Sequence, residues 1–400
     1  MLQKLNNLDV ANKRVIVRVD LNLPIVHGKI VDLSRIVRII PTISYLLKNK
    51  AKVILISHYG RPEGKFILKM SLAPMVDTLS ELFGVNVKFA TDLFSSQTRS
   101  KIDSLNPGEI ILLENLRFYP EEENNDLEFA KKLASFADIY VNEAFACSHR
   151  AHASITSLPA LLPSYSGMLL QEEIENLEKY FLSPQRKMMS IVGGAKISTK
   201  IGLLNALIKK SDYLVIGGAM ANTFLRAQGV SIGTSLCDKN YDKFCLELLK
   251  SAENSGCEVI LPKDIVTAQS FDTDSQCRVC DVDDIPAGEM IFDIGPSSVI
   301  NIIEKMQNCK TLIWNGPLGA FENTNFSAGT TMVSRAAAKF TAKGDLVSVV
   351  GGGDTVAAIS EFENQFTYAS TGGGAFLEWL EGNSLPGLEV LYRKGVEISK

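Results

Sequence analysis

Glycine clusters in the second half of the chain are the first candidates for ligand chemistry. The stretch VVGGGDT covers residues 349 to 355, and STGGGA at 370 to 375 repeats the triplet. Glycines between a strand and a helix let phosphate oxygens reach backbone N–H groups, and the helix N-terminus favours negative charge. Two weaker stretches are IVGGAK (191 to 196) and VIGGAM (215 to 220), of which VIGGAM alone is equally compatible with a tight turn. The triplets therefore predict a backbone phosphate site.

Two side chains beside the first triplet extend this prediction. Asp354 adds a carboxylate of the kind that Mg²⁺ takes together with phosphate oxygens and water, and Thr355 offers a hydroxyl to the same phosphates. Neither familiar nucleotide motif is complete. G-x-x-x-x-G-K-[ST] is missing, and Val356 and Leu377 occupy the last glycine position of G-x-G-x-x-G.

Two lysines follow the stretch GGAK. Lys196 and Lys200 are spaced i and i+4, which predicts one face of a helix. Like charges at this spacing cost roughly 0.2–0.5 kcal/mol unless an anion lies between them. A solvated lysine face is the usual explanation of such a pair, but its position at the mouth of a glycine loop favours phosphate contact.

Basic and amide side chains in the first half suggest a second kind of anion site. They occur in RVDLNLP (18 to 24), LSRI (33 to 36), SHYGRP (57 to 62), ENLRFYPEE (114 to 122) and SHRAHAS (148 to 154). Each stretch follows a predicted strand or lies in a loop. We expect Arg35, His58, Arg61, Arg117 and Arg150 to converge and bind a phosphorylated carboxylate through bidentate hydrogen bonds.

Metal and hydrolase chemistry are weaker alternatives for this half. Cys147, His149 and His152 have the short spacing of zinc ligands, but a fourth ligand is not apparent nearby and the CRVC at 277 to 280 has no matching second pair. A serine hydrolase is not favoured because G-x-S-x-G does not occur.

Strands and helices must alternate to place these side chains. Short apolar runs such as RVIVRVD, KVILIS, EIILLEN and DIYVNE in the first half, and YLVIGG, EVILP, TLIWNG and DLVSVVGG in the second, alternate with amphipathic stretches. This pattern predicts the α/β class, with parallel sheets covered by helices on both faces. Ligands then bind beyond the carboxyl ends of the strands.

The two halves differ in composition. Residues 1 to 170 contain 6 of the 29 glycines but eight of the thirteen arginines and all four histidines. At 400 residues the chain is long enough for two domains. Prolines break the pattern in SLPALLPSYSG (157 to 167), and LLQEEIENLEKYF (169 to 181) predicts a charged amphipathic helix, so we place the domain boundary there.

The whole-chain composition argues against several classes of partner. A formal net charge of −4 gives no overall attraction to nucleic acid or to an anionic membrane surface. No apolar run approaches the roughly 20 residues that span a bilayer. Seven cysteines, an odd number, and a polar N-terminus without a secretory signal favour the cytoplasm.

Taken together, the motifs resemble the phosphoglycerate kinase family. The stretches RVDLNLP, SHYGRP, LLENLRFYPEE, HRAHAS, GAKISTKI, GTSLCD, WNGPLGAFE, GGGDT and STGGGA are similar to its signatures, in order and over nearly the whole chain. The resemblance implies two Rossmann-like domains, each a parallel sheet flanked by helices, joined by an interdomain helix and hinge. It also implies a monomer that transfers a phosphoryl group in line within a closed interdomain cleft, between 1,3-bisphosphoglycerate and ADP.

The resemblance also implies domain borders and residue roles. Residues 1 to 167, with a tail from 385 to 400, would bind 3-phosphoglycerate, residues 168 to 182 would connect, and residues 183 to 384 would bind the nucleotide. Asp20 and Asn22 would contact the glycerate, Arg35 the carboxyl group and the phosphoryl in flight, and His58, Arg61, Arg117 and Arg150 the phosphate end.

On the nucleotide side the resemblance implies a longer set of contacts. Lys196, Lys200 and the backbone of Gly373 and Gly374 would act on the transferred group, and Asp354 would hold Mg²⁺. The remaining nucleotide contacts would come from Gly194, Gly218, Asn315, Pro317, Gly319, Glu322, Gly351, Gly352, Gly353 and Thr355. Tyr59, Glu143, Ala146 and Thr199 depart from the usual residues of the family, which leaves affinities open.

The reaction suits these residue types. A carboxylate nucleophile is already ionised at neutral pH, so no general base is needed, and the sequence presents cationic groups and glycine loops. Two other classes stay open at this point. A nicotinamide-dependent dehydrogenase would need the missing G-x-G-x-x-G fingerprint, and a non-catalytic nucleotide-binding scaffold would share the fold without turnover.

Overall fold

The computed structural model describes residues 2 to 6, 8 to 26, 29 to 182 and 184 to 392. It divides into two compact units. Unit 1 comprises the residues up to Glu175 and those from Ser384 onward, and unit 2 comprises Asn176–Asn383. Unit 1 therefore includes the start of the predicted C-terminal tail, whose residues 393 to 400 lie outside the described residues.

Unit 1 is an α/β unit built on one parallel sheet. Its strands are β1 Arg14–Arg18, β2 Ile25–Val26, β3 Lys29–Ile30, β4 Lys52–Ile56, β5 Val87–Ala90, β6 Ile110–Leu113, β7 Ile139–Asn142 and β8 Ser164–Ser166. Its helices are α1 Ser34–Lys48, α2 Val76–Phe83, α3 Ser96–Asp103, α4 Pro120–Glu123, α5 Leu127–Ala134, α6 Leu158–Ala160 and the C-terminal Pro386–Tyr392. Six strands pair in the order β5-β6-β4-β1-β7-β8, all parallel.

Unit 2 repeats this plan. Its strands are β9 Met188–Val192, β10 Tyr213–Ile216, β11 Glu258–Ile260, β12 Asp264–Ala268, β13 Arg278–Asp281, β14 Met290–Ile294, β15 Thr311–Asn315, β16 Val347–Gly351 and β17 Tyr368–Ser370. After α7 Met168–Leu177, which crosses the unit border, its helices are α8 Ile201–Leu207, α9 Gly218–Ala227, α10 Asp242–Asn254, α11 Pro296–Met306, α12 Ala328–Ala342, α13 Gly353–Ala358 and α14 Gly374–Leu380. The parallel sheet has the order β11-β10-β9-β15-β16-β17.

The central strands confirm the predicted α/β class. Every residue of β6, β9 and β15 is buried, as expected where helices cover both faces of a parallel sheet. Unit 2 also has an antiparallel sheet of order β13-β12-β14, which the alternation did not predict. Its strands follow one another through polar connections without an intervening long helix, so the βαβ pattern is absent there.

The segment predicted as one helix at 169 to 181 has two parts. The α-helix α7 ends at Leu177, and residues Glu178–Leu182 form a π-helical turn. The unit border at Glu175 falls inside α7. Among the helices of the described residues, none is long and apolar enough to cross a membrane.

Candidate active site

The order of strands in unit 1 brings the basic motifs to one edge of the sheet. β1 is central, β4 and β6 lie on one side of it and β7 on the other. Because all are parallel, their carboxyl ends meet at the same edge. Asp20 and Asn22 follow β1, His58 follows β4, Arg117 follows β6 and Arg150 follows β7.

Arg35 is oriented by the loop after β1. Its Nη1 donates to Asp20 Oδ2 at 3.0 Å and to the backbone oxygen of Asn22 at 2.9 Å. Asn22 in turn accepts the backbone N–H of Gly60 at its Oδ1, at 2.9 Å. Asp20 and Asn22, both predicted to contact substrate, therefore hold the guanidinium of Arg35. About 34% of the Arg35 side chain remains exposed.

His58 is a neutral imidazole in a cationic setting. It is buried, and its Nδ1 lies 3.1 Å from Nη2 of Arg18. Arginine only donates, so Nδ1 accepts and the proton of the neutral ring is on Nε2. Burial, followed by the charges of Arg18, Arg117 and Arg150, lowers the pKa of His58 well below its usual value. The ring therefore presents one N–H donor.

The other predicted arginines differ in exposure. Arg117 is buried, its Nη1 donates to the backbone oxygen of Gly60 at 2.8 Å, and burial, followed by the charge of Arg150, lowers its pKa. Its Nε is buried and, within the described chain, has no aligned acceptor, although Glu123 Oε1 lies 3.2 Å away. Arg150 is half-buried, with its Nε 3.2 Å from His149 Nε2, whereas Arg61 is exposed.

Arg18 is a buried member of this basic cluster that sequence reasoning missed. It ends β1 and is buried, and its Nε donates to Ser154 Oγ at 2.9 Å. Ser154 donates through its backbone N–H and its hydroxyl to the buried carboxylate of Glu122, at 2.9 and 2.5 Å. Its position at the start of RVDLNLP is the signal that could have identified Arg18.

Among the described residues, the possible metal ligands that lie close together are not the predicted set of Cys147, His149 and His152. The ligand atoms of Asp20, His58 and Cys147 lie within 4.8 Å of one another. Their surroundings do not suit a dication, because Arg18 Nη2 already contacts His58 Nδ1 and lies 3.7 Å from the Cys147 sulfur. Burial also raises the pKa of the Cys147 thiol to about 11, which disfavours the thiolate that a metal needs.

In unit 2 the predicted phosphate loops gather where the strand order reverses. The chain runs outward from β9 to β11 and returns to β15, which pairs with β9 on its other side. Such a switch point is where open α/β sheets bind ligands. Gly218 begins α9 here with φ +64°, and a Cβ at this position would collide with the backbone of Gly194. Two predicted glycines therefore pack backbone against backbone.

The predicted helical pair of lysines is wrong. Lys196 is extended, residues Ile197–Thr199 form a 3₁₀ turn, and α8 begins only after Lys200. The backbone N–H of Ile197 is bound instead by Asp238 Oδ2 at 2.8 Å, a partner distant in sequence. Lys196 is exposed, whereas Lys200 turns inward.

Lys200 and Asn315 form the centre of this edge. Lys200 Nζ donates to Asn315 Oδ1 and to the backbone oxygen of Gly193, both at 2.6 Å. Asn315 Nδ2 donates to the backbone oxygen of Gly351 at 2.5 Å. Burial lowers the pKa of Lys200 to about 8, although Asp354 acts to raise it. The ends of β9, β15 and β16 are thereby connected.

The hydroxyl of Thr355 has backbone partners in place of the predicted phosphates. Its side chain is buried, its hydroxyl donates to the backbone oxygen of Gly351 at 3.0 Å, and its Oγ1 accepts the N–H of Gly316 at 2.6 Å. The hydroxyl is thus used by the backbone rather than offered to a phosphate. Gly352 precedes α13 with φ +102°, a conformation that glycine adopts without strain.

A cavity of about 470 Å³ lies beside this cluster. Six predicted residues line it: Gly194, Gly218, Pro317, Gly319, Glu322 and Asp354. Leu236, Phe271 and Phe292 supply an apolar wall that sequence reasoning missed. Phe271 and Phe292 stack with the buried Phe326 from another part of the chain, and no short motif contains all three.

The second glycine triplet is not part of this lining. Gly373 has φ +51° and caps α14, which starts at Gly374. The N–H of Gly372 donates to Ser370 Oγ at 3.0 Å at the end of β17. The triplet therefore lies at the same carboxyl edge of the sheet, on its outer strand.

Comparisons with known proteins agree with this arrangement. A family model described as phosphoglycerate kinase matches residues 5 to 383. Phosphoglycerate kinases of Sinorhizobium medicae and Methylorubrum extorquens are each 49% identical over 385 residues, 96% of both chains. A phosphoglycerate kinase structure from Coxiella burnetii superimposes with a TM-score of 0.87 at 40% identity, covering 98% of this chain and 99% of its own. One from Pyrococcus horikoshii gives 0.85 at 30% identity, covering 98% and 100%.

These similarities extend over nearly the full length of the chain and include both parallel sheets. The chain therefore belongs to the phosphoglycerate kinase family, the glycolytic kinases that transfer a phosphoryl group reversibly between 1,3-bisphosphoglycerate and ADP.

Proposed function

We propose that the basic cluster of unit 1 binds 3-phosphoglycerate and 1,3-bisphosphoglycerate, and that the cavity of unit 2 binds ADP and ATP with Mg²⁺. The observation that carries the first assignment is the convergence of Arg18, Arg117 and Arg150 on a neutral His58. The charges of these guanidinium groups act on a ring that presents one N–H donor, an environment suited to a phosphate.

The substrate's two ends are assigned to different residues. His58, Arg61, Arg117 and Arg150 bind the phosphate end through charge-assisted hydrogen bonds. Arg35 binds the carboxyl end, where the acyl phosphate forms or is broken. Asp20 and Asn22 contact the glycerate and set the direction of the Arg35 guanidinium.

The cavity of unit 2 suits a nucleotide because its lining contains both apolar and polar groups. Leu236, Phe271 and Phe292 form an apolar wall suited to a base, and the exposed carboxylate of Glu322 is suited to a ribose hydroxyl. Gly194, Gly218 and Asp354 also line the cavity, and the two glycines let backbone approach phosphates. Lys196 and the triplet from Gly351 to Gly353 are adjacent in sequence to this lining.

Asp354 fits the predicted role as Mg²⁺ ligand. It is an exposed, hard oxygen ligand that lines the cavity, and Mg²⁺ needs only one or two such carboxylates besides phosphate oxygens and water. The ion would neutralise phosphate charge when bound. Lys200, which also lies within electrostatic reach of Asp354, adds a second positive charge.

No protein base is required in this scheme. In the direction of acyl-phosphate synthesis, a carboxylate oxygen of 3-phosphoglycerate attacks the γ-phosphorus of ATP, and the bond to the β–γ bridging oxygen breaks to release ADP. The nucleophile is ionised at neutral pH, so the residues act on charge alone. Arg35 and Lys200, with the backbone N–H groups of Gly373 and Gly374, stabilise the transferring oxygens.

We further propose that the protein acts as a cytoplasmic monomer. Its seven cysteines are free thiols, which suits a reducing compartment. Purified protein supplied with 3-phosphoglycerate, ATP and Mg²⁺ should form acyl phosphate, and a metal-free sample should not. Mg²⁺-independent turnover would contradict the Asp354 assignment, and nucleotide binding without turnover would contradict the catalytic scheme.

A further inference from the structure

Asp293 is a buried carboxylate directly behind the nucleotide cavity, outside the site predicted from sequence. It belongs to β14, whose preceding residues Met290, Ile291 and Phe292 line the cavity. The residue is 2% exposed and also borders a smaller cavity with Gly218 and Leu318. It therefore does not face the main cavity itself.

The contacts of Asp293 lead to the loop 317 to 320, of which Pro317, Gly319 and Ala320 line the main cavity. One oxygen, Oδ2, accepts the N–H of Gly329 in the first turn of α12 at 2.7 Å, and Oδ1 accepts the N–H of Ile294 at 2.9 Å. A Cβ on Gly319 would collide with Oδ1, so the carboxylate packs directly against a residue that lines the cavity.

The same loop is attached to neighbouring elements on both sides. The N–H of Leu318 donates to Thr330 Oγ1, one residue after Gly329, at 3.0 Å. The N–H of Ala320 donates to the backbone oxygen of Phe292 at 2.8 Å, and the backbone oxygen of Leu318 accepts from Gly218 at 2.8 Å. By capping α12, Asp293 joins β14 to the helix that binds the loop.

Asp264 provides a matched comparison in the same unit. It caps α11, accepting the N–H of Ser297 at 2.8 Å, the N–H of Ser298 at 2.7 Å and the Ser298 hydroxyl at 2.6 Å. Burial acts to raise its pKa, but the hydrogen bonds from Ser298 and Ser297 outweigh it and the pKa is lowered. Burial raises the pKa of Asp293 to about 7 despite its bonds from Gly329 and Ile294. At neutral pH the ionised Asp264 stabilises the fold, whereas ionising Asp293 opposes folding.

We propose that Asp293 is a positioning residue for nucleotide binding, which keeps Leu318, Gly319 and Ala320 in place by connecting β14 to the N-terminus of α12. This deepens, and rests on, the assignment of the unit 2 cavity to ADP and ATP. The residue acts through the loop and touches no reacting atom.

The test compares Asp293→Asn with Asp264→Asn. We measure KM for ATP, KM for 3-phosphoglycerate, kcat, direct ADP binding by calorimetry, and the thermal midpoint. Asp293→Asn should raise KM for ATP and Kd for ADP roughly three- to tenfold, since one buried hydrogen bond is lost, with KM for 3-phosphoglycerate unchanged and kcat within about twofold. Asp264→Asn should lower the thermal midpoint with the nucleotide constants unchanged.

Three outcomes separate this role from the cavity assignment. Nucleotide constants unchanged in Asp293→Asn, or shifted equally in Asp264→Asn, overturn the positioning role. Asp354→Asn reports on the cavity: if neither Asp354→Asn nor Asp293→Asn alters ADP binding, both assignments fail. If Asp293→Asn does not fold, Thr330→Val is tested instead, because it removes the acceptor of the Leu318 N–H. Thr330→Val should raise KM for ATP in the same way. An unchanged KM for ATP in Thr330→Val overturns the proposal.

Discussion

Lys200 Nζ lies 2.6 Å from Asn315 Oδ1, and these two atoms join the carboxyl ends of β9 and β15. The ammonium also has the backbone oxygens of Gly193 and Asn315 within 2.6 and 3.3 Å. A lysine ammonium held by three oxygen acceptors is already oriented before an anion arrives. This preorganisation is the feature expected of a group that stabilises developing charge.

Removing the Lys200 ammonium should therefore affect the chemical step. We expect Lys200→Ala to lower kcat by about 10²-fold or more, because a charge that acts on the transferring group is lost. Lys209, an exposed lysine two residues after the end of α8, supplies the control: Lys209→Ala should leave kcat unchanged. A kcat of Lys200→Ala within about threefold of wild type would remove Lys200 from the catalytic set.

Lys200 should also set an upper pH limit. Its pKa, lowered by burial to about 8, means that the ammonium is lost as pH rises through about 8 in the free enzyme. We expect kcat/KM for ATP, which reports the free enzyme, to fall above about pH 8. In Lys200→Arg the residual kcat/KM should not fall there, since arginine stays charged. The same fall in both proteins would assign the titration to another group.

Arg35 should act on the reaction rather than on folding. Its guanidinium bonds Asp20 and Asn22 from a partly exposed position, so its loss leaves no cavity. We expect Arg35→Ala to lower kcat by about 10²-fold or more with little change in thermal midpoint. Arg99→Ala, which removes an exposed contact to the Ser135 backbone, should change neither value. Normal turnover in Arg35→Ala would contradict the assignment.

His58 should bind substrate as a neutral donor. Its pKa is lowered well below the usual value, first by burial and then by neighbouring arginines, so the ring should be neutral at pH 7. His58→Ala should raise KM for 3-phosphoglycerate about tenfold, and His58→Gln, which keeps an N–H donor, should raise it less. A break in the pH profile of this KM near pH 6.5 that disappears in His58→Gln would show that a charged imidazole binds instead.

Glu143, one of the departures from the family pattern, should make stability depend on pH. Its carboxylate is buried, accepting from Thr42 Oγ1 at 2.5 Å and from the N–H of Leu169 at 3.1 Å at the start of α7. Burial raises its pKa to about 7, despite these bonds. The folded state therefore binds the proton more tightly, and the resulting stability is full below about pH 4.5 and is lost as pH rises to about 7.

The test is the unfolding free energy of Glu143→Gln against wild type across this range. The variant cannot ionise, so the difference between variant and wild type should move in favour of the variant by roughly 2–3 kcal/mol between about pH 4.5 and 8. Denaturant titrations at several pH values measure it. Parallel curves for the two proteins would mean that Glu143 does not titrate in this window.

Much of the site could be predicted from local sequence. Strands such as KVILIS and TLIWNG are continuous apolar runs, and a run of that kind is buried wherever the sheet places it. His58, Arg117 and Arg150 follow such runs, so their common edge follows from parallel pairing. The glycines of 351 to 353 likewise indicate a strand-to-helix turn from their chemistry alone.

Contacts between distant segments could not be predicted in this way. The helix expected through Lys196 and Lys200 has the right spacing, but Asp238 binds the N–H of Ile197 and the helix starts later. Phe271, Phe292 and Phe326 meet only after the chain has folded. Spacing carries no information on such partners.

The sequence by itself thus determined the α/β class, the strand ends and the residue types suited to binding anions, because hydrophobic period and turn chemistry are local. Only the tertiary structure decided that Arg18 sets the tautomer of His58, that the Thr355 hydroxyl serves the backbone, and that Lys200 rests on Asn315. Each of these depends on the distance between atoms far apart along the chain, and that distance exists only once the strands have paired.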